Sequence, residues 1–315
     1  MHRAIAAATV AALLLMLPYP ANAGNPQVGV LRHFSNLPAG LGAEGLATVG
    51  DGFFYVGTFS FTAADGKILV YDHLGSIVNT IAVPGLPQVG QLAFLDKHTL
   101  FAVAGNIATG QGAVVRVDPQ SGAVATVATG FKLPNGLAID KQGNMFVTDL
   151  LTGIVSKVTP SGLVSVFASG PLLAPALLPG LGLSLGTNDL TFDQGRGALY
   201  VTNVGLGTVV KIQVMKDGAA GAITNFAHVT TPDGVAFDEE GRLYVTSPFT
   251  NSVWILAGDG SAVQLALDTS HDSLNNPSNV AFVGRNLYIT NLALGGLAEV
   301  SVVTVSAPGL PLGSE

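Results

Sequence analysis

The sequence predicts an all-β fold, a six-bladed β-propeller of four-stranded antiparallel blades, and three observations carry that expectation. First, one short phrase recurs six times: an apolar triplet, usually followed by Asp, then a turn and an aromatic-Val-Thr strand. Two copies are Gly-Leu-Ala-Ile-Asp at 136–140 with Phe146, Val147 and Thr148, and Gly-Val-Ala-Phe-Asp at 234–238 with Tyr244, Val245 and Thr246. Second, the residues two places ahead of the six triplets are Glu44, Gly90, Asn135, Asn188, Asp233 and Ser278, separated by 46, 45, 53, 45 and 45 residues. Repeats of this length built from short strands are the mark of propeller blades. Third, no helix-period stretch follows residue 23, whereas 40 glycines in 315 residues suit strands joined by tight turns.

The elements follow in order along the chain. Residues 1–23 read as a cleaved signal peptide: a positive start at His2 and Arg3, an apolar run from Ala4 to Leu17, and the small-x-small site Ala21-Asn22-Ala23. The expected mature chain, 24–315, is a single propeller domain in a secreted or periplasmic setting. The third repeat shows the blade plan most openly, with strands at Leu137–Ile139, Met145–Asp149, Ile154–Val158 and Leu163–Phe167 punctuated by glycine-containing turns. The sixth repeat offers only three strands, the last at Leu297–Val305. A strand near Val28–Phe34 is therefore expected to complete that blade and close the ring, which leaves no long open edge. Between the third and fourth repeats Gly170–Gly186 is an extra, uncharged segment with three prolines and seven leucines. It is expected either to pack as a surface loop or to cover the channel mouth, where it would favour an apolar substrate.

Composition removes several function classes. There is no cysteine, so thiolate nucleophiles and Cys-ligated metals are excluded. A net charge of −7 with no basic stripe disfavours nucleic acid. The six histidines form no cluster, and only His271 precedes a first strand on the face of the aligned residues. No Ser-His-Asp arrangement stands out.

The first strand of a propeller blade lines the central channel, so the six aligned residues converge on one axis. Glu44, Asn188 and Asp233 are oxygen-bearing and form a candidate site for a hard cation. With no sulfur or imidazole among them, they suit Ca²⁺ better than Zn²⁺ or copper, with Mg²⁺ or Mn²⁺ as alternatives. The competing reading for each is a turn residue or a solvated carboxylate. Asp140, Asp193 and Asp238 recur five places later and read as turn residues; Asp149, Asn203, Ser247 and Asn291 end second strands and are expected to bind loop backbone. Strict strand alternation points Asp189 away from the channel.

The stretches Leu133–Asp140, Thr231–Asp238 with Gly241–Val245, and Pro277–Phe282 resemble the senescence marker protein/gluconolactonase family, which includes regucalcin. The resemblance implies a divalent cation held by Glu44, Asn188 and Asp233, with Asn135 contacting substrate or metal-bound water. Sugar-lactone members carry Arg two residues before that Asn, and this chain has Leu133. The expected activity is hydrolysis of a lactone or related ester on a small-molecule substrate, with Asp233 and Asn135 as catalytic residues. The repeats also resemble NHL-type, streptogramin lyase and strictosidine synthase-like propellers. A non-enzymatic binding propeller with a structural metal, and a lyase or condensing enzyme, are therefore the alternatives.

Overall fold

The computed structural model describes residues 28–310, apart from 51, 179, 180, 194, 196, 269, 272 and 295. The expected signal peptide lies outside the described residues. Those residues form the six expected blades, with no α-helix and a single 3₁₀ turn at Pro248–Thr250. No helix among them is long and apolar enough to cross a membrane.

The first blade comprises Gly42–Thr48, Phe54–Phe59, Gly66–Tyr71 and Ile77–Val83, and the second Gln88–Asp96, Thr99–Asn106, Gln111–Val117 and Val124–Phe131. One bridge, Phe59 to Gln88, joins these two sheets. The third blade runs Pro134–Ile139, Met145–Asp149, Ile154–Val158 and Val164–Ala168; the fourth Thr187–Phe192, Ala198–Asn203, Thr208–Val214 and Ala220–His228. The fifth is Val235–Phe237, Leu243–Ser247, Ser252–Leu256 and Ala262–Leu267. The sixth takes Pro277–Val283, Asn286–Asn291 and Glu299–Thr304 from the C-terminal end and Leu31–Asn36 from the N-terminal end. That closing strand pairs antiparallel with Glu299–Thr304, and Val28 adds a bridge to Thr304. A partly buried contact between Phe34, Phe54 and Tyr288 packs the seam between the sixth and first blades.

Each letter of the recurring phrase has a contact that explains it. The aromatic residue of a second strand meets, edge to face, the phenylalanine near the end of the next blade's first strand. The pairs are Tyr55 with Phe94, Phe146 with Phe192, Tyr200 with Phe237 and Tyr244 with Phe282, at centroid distances of 5.0–5.3 Å. Such pairs add about 0.5–1.5 kcal/mol each beyond area burial. The threonine works across the same seam. Thr202 Oγ1 accepts the Asp189 N–H at 2.9 Å and donates to the Asp233 carbonyl at 2.7 Å. Thr246 does the same between Gly234 N–H and the Ser278 carbonyl, and Thr290 between Asn279 N–H and the Glu44 carbonyl. Thr148 links Gly136 to Asn188 in the same way. These hydroxyls thus fix the backbone of three candidate ligands from the neighbouring blade.

The segment 170–186 is more ordered than a simple loop. Ala176–Leu178 and Leu183–Leu185 pair as a short hairpin. Its inward leucines, Leu178 and Leu185, join Leu133, Leu150 and Val204 in one buried cluster. Asn203 Nδ2 donates to the carbonyls of Leu172 and Ala174. At Gly205 the backbone passes so close that an added Cβ would lie 2.1 Å from the Leu185 carbonyl oxygen. The segment is therefore a packed wall on the ligand side of the third and fourth blades.

Thr246→Val should destabilise the protein by about 0.5–1.5 kcal/mol in urea titration, the net worth of a hydrogen bond, because Gly234 N–H and the Ser278 carbonyl keep their direct 2.7 Å bond to each other. The same change at the exposed Thr224 should be within about 0.5 kcal/mol of wild type, and equal losses at both sites would contradict the latch. Deleting 171–185 should lower stability by several kcal/mol, on the order of two or three large-to-small core substitutions, since Leu173, Leu178 and Leu185 are buried. An unchanged melting temperature would show the wall to be dispensable.

Candidate metal centre

A bulge at the head of the first strands aims the site residues. The pairing register shifts between Ala43 and Leu46, Val89 and Leu92, Pro134 and Leu137, Thr187 and Leu190, and Pro277 and Val280. Each gap holds an aligned residue and its successor, so two consecutive residues escape strict alternation. In the fifth blade the paired strand begins only at Val235, after Asp233 and Gly234.

The aligned residues form the upper layer of the channel. Glu44, Asn135, Asn188 and Asp233 are 3, 6, 4 and 3 % exposed. They meet as two hydrogen-bonded pairs: Asn135 Nδ2 donates to Glu44 Oε1 at 2.9 Å, and Asn188 Nδ2 donates to Asp233 Oδ1 at 2.7 Å. The four expected site residues thus form two pairs, and the Glu44 charge reaches Asp233 across them. Gly90 supplies no side chain, and Ser278 turns its hydroxyl to the Ala43 carbonyl at 2.7 Å.

The successors form a second layer, and this layer alternates. Gly45, Gly136 and Gly234 occupy the odd blades, where an added Cβ would lie 2.0–2.7 Å from backbone atoms of the next blade. Gln91, Asp189 and Asn279 occupy the even blades. Gln91 Oε1 accepts Leu46 N–H at 3.1 Å; Asp189 Oδ2 accepts Val235 N–H at 3.0 Å and Asn279 Nδ2 at 3.2 Å. Asp189 was expected to face away from the channel. The bulge reverses that expectation and buries its carboxylate completely. The signal available in the sequence was the alternation of glycine with a polar residue just after each aligned position.

Three carboxylates consequently share the axis. Burial raises Glu44 to about 7, against the lowering effect of the Asn135 hydrogen bond and with a further rise from the Asp189 charge. Burial likewise raises Asp189 to about 7, although the N–H groups of Val235 and Leu190 and the Asn279 amide oppose it. Asp233 is driven well above the usual carboxylate range by burial, then by the charges of Glu44 and Asp189.

The residues fit a hard cation on two further observations. Glu44 Oε2 and Asn188 Oδ1 are buried side-chain oxygens with no hydrogen-bond partner. They lie on two of the three expected ligands, and the third, Asp233, is the carboxylate beside Asn188. Among the described residues no group of three or more His, Cys, Asp and Glu side chains makes a metal cluster by itself. Asp189, with both oxygens committed to N–H donors, contributes charge and not a ligand.

The remaining polar residues behave as turn and loop partners. Asp149 accepts N–H groups of Lys132, Leu133, Leu151 and Thr152. Asp140, Asp193 and Asp238 bind N–H groups in their own turns. His271 lies exposed in a left-handed conformation at φ 62°. The channel's opposite mouth holds a cavity of about 320 Å³, lined by apolar first-strand residues including Leu92, Leu137, Phe192 and Phe237. On the ligand side a shallow depression of about 400 Å³ runs between Leu178 of the hairpin and Thr230 and Thr231 of the fifth blade.

No protein-family model matches the chain, and no curated protein matches it in sequence. Among solved structures it is similar to a gluconolactonase from Xanthomonas campestris, with 17 % identity and a TM-score of 0.65 over 88 % of this chain and 89 % of that one. It is similar to a calcium-binding regucalcin from Agrobacterium tumefaciens at 14 % identity and a TM-score of 0.62, over 89 % and 97 % of the two chains. A virginiamycin B lyase from Staphylococcus aureus shares 14 % identity and a TM-score of 0.57 over 88 % and 99 %. At these identities the likeness establishes one thing: the chain has the β-propeller fold of gluconolactonase- and regucalcin-like proteins.

Proposed function

We propose that the protein is a secreted or periplasmic, divalent-cation-dependent hydrolase of a lactone or related ester. The observation that carries this reading is the pair of unpartnered oxygens, Glu44 Oε2 and Asn188 Oδ1, beside the buried Asp233 carboxylate. Hard oxygen donors with excess negative charge favour Ca²⁺, and the structural likeness to a calcium-binding regucalcin and a gluconolactonase points the same way.

Glu44, Asn188 and Asp233 would hold the cation, which when bound supplies Lewis-acid polarisation of the ester carbonyl. Asp233 takes the proton from the attacking water and returns it to the departing alkoxide oxygen as the C–O bond breaks. Asn135 keeps Glu44 in place through its 2.9 Å hydrogen bond and directs the rest of its amide to the substrate. Leu133 and the leucine wall around it favour an apolar acyl portion over a polyhydroxylated one. The near-complete burial of all four residues favours one alternative, a binding propeller in which the cation only ties blades together.

A panel of lactones and esters, run with and without chelator, separates these readings. Hydrolysis that disappears with chelator and returns with Ca²⁺ is the expected result, whereas a cation that raises the melting temperature with no turnover on any substrate would assign the binding propeller. Asp233→Asn should lower kcat by about 10²-fold or more, because a base and a ligand charge are lost together; full activity in this variant would overturn the mechanism. Asn135→Ala should weaken the cation by about 10–100-fold, as expected when the group orienting a ligand is removed, and calorimetric titration reads this directly.

The pH dependence of stability has a definite sign. A carboxyl raised in the folded state holds its proton more tightly there than in the unfolded chain, so this stabilisation is full below about pH 4 and lost as pH rises through the folded values. For Glu44 and Asp189 the window closes at about 7, and for Asp233 it extends higher. Cation-free protein should therefore melt at progressively lower temperature from pH 5 to pH 8, and saturating Ca²⁺ should flatten or reverse that slope. A cation-free slope of the opposite sign would contradict the burial of these three acids.

A further inference from the structure

The two ends of the ring differ in chemistry. On the end away from the candidate ligands, the turns carry charge in nearly every blade, including Asp72, Lys141, Asp217, Glu240, Arg242 and Arg285. On the ligand end, the connections at 37–41, 84–87, 107–110, 150–153, 204–207, 248–251 and 292–298 contain no charged residue, and neither does 169–186. Among the described residues of the remaining connections, Asp65 accepts Gly85 N–H, and Asp268 accepts the N–H groups of Ser270, His271, Ser273 and Leu274. Lys132 is the exposed cation left on that end.

Large apolar side chains project from the same connections. Phe61, Leu177, Leu206, Phe249, Leu294 and Leu297 are 40–68 % exposed. They stand on loops of the first, fourth, fifth and sixth blades and on the hairpin, so they surround the channel mouth. At the opposite end most exposed apolar residues sit beside charge, as Leu74 after Asp72 and His73 and Met215 before Lys216 and Asp217 do, and Leu163, 67 % exposed, stands alone in an uncharged turn.

We propose that this end of the ring docks on a neutral lipid–water interface. Isolated side chains raised on separate loops do not form one continuous groove for a rigid partner, whereas a fluid apolar phase can surround each tip independently. Monolayer-embedding surfaces work this way, with apolar tips entering the acyl boundary while the polar body stays in water. Charge decides the lipid class. With a net charge of −7 and one exposed lysine on the docking end, no basic cluster is present to attract anionic headgroups. The surface therefore takes zwitterionic or uncharged lipid, and it places the channel mouth against the phase in which an apolar ester would partition. Exposure and charge placement define this surface independently of the cation and of hydrolysis.

Flotation of the protein with phosphatidylcholine vesicles tests this. Wild type is expected to float with the vesicles, equally at low and high salt. The double substitution Phe61→Asp, Leu177→Asp should reduce the bound fraction by about tenfold or more, given the transfer energy of two large apolar side chains, at an unchanged melting temperature. Leu74→Asp on the opposite end should bind as wild type does. All variants are compared as the expected mature chain from Gly24, so the apolar run at 4–17 does not contribute to the bound fraction. Absence of wild-type binding, equal losses from both ends, or binding that requires anionic lipid and vanishes in high salt would each overturn the proposal. So would concentration-dependent dimerisation abolished by the same double substitution, which would assign the surface to a second copy of the chain.

Discussion

Six strand heads meeting on one axis leave almost no room between their backbones, and that crowding governs both the fold and the site. At Gly45, Gly90, Gly136 and Gly234 a single Cβ would fall within 3 Å of the neighbouring blade. The chain meets this limit with glycine in alternate blades and a bulge at the strand heads. Space denied in the odd blades is taken up by Gln91, Asp189 and Asn279 in the even ones. The bulges turn the residue before each of these into the channel mouth. Packing at the axis thereby decides which side chains face one another, before any question of chemistry arises.

That geometry has an electrostatic cost. Glu44, Asp189 and Asp233 are buried together, and no lysine or arginine bonds to any of them. Unpaired buried charge is expensive, so such groups either bind protons or gain a counter-ion. Hydrogen bonds satisfy Asp189, but they leave one oxygen of Glu44 and one of Asn188 without a partner. A cation at this point would neutralise the acids and complete the two unpartnered oxygens at once. Threonines from adjacent blades hold the Asn188, Asp233 and Glu44 backbones in place, so these three residues are positioned by ring closure itself.

Much of this was legible in the sequence because each repeated residue makes the same contact in blade after blade. The aromatic, the threonine and the glycine of the phrase recur for packing reasons, and their spacing reported the blades and the aligned residues Glu44, Asn135, Asn188 and Asp233. Two features were hidden. Asp189 was assigned to the wrong face because alternation presumes an unbroken ladder, and a bulge is set by interblade crowding that no single repeat displays. The 170–186 segment looked like an irregular loop because its prolines and glycines mask two strands of only three residues each. Those strands are held by packing against Leu133, Leu150 and Val204, from outside the segment.

Under the proposed function the buried acids take up a divalent cation, and the protons released on binding report that step. Near pH 6 the raised carboxyls hold protons that a cation must displace, because ligands bind metal in the deprotonated form. A pH-stat titration with Ca²⁺ should therefore release about one proton or more per cation bound, and Asp233→Asn should reduce that release. Failure to bind Ca²⁺, Mg²⁺ or Mn²⁺, or binding with no proton released, would contradict the account.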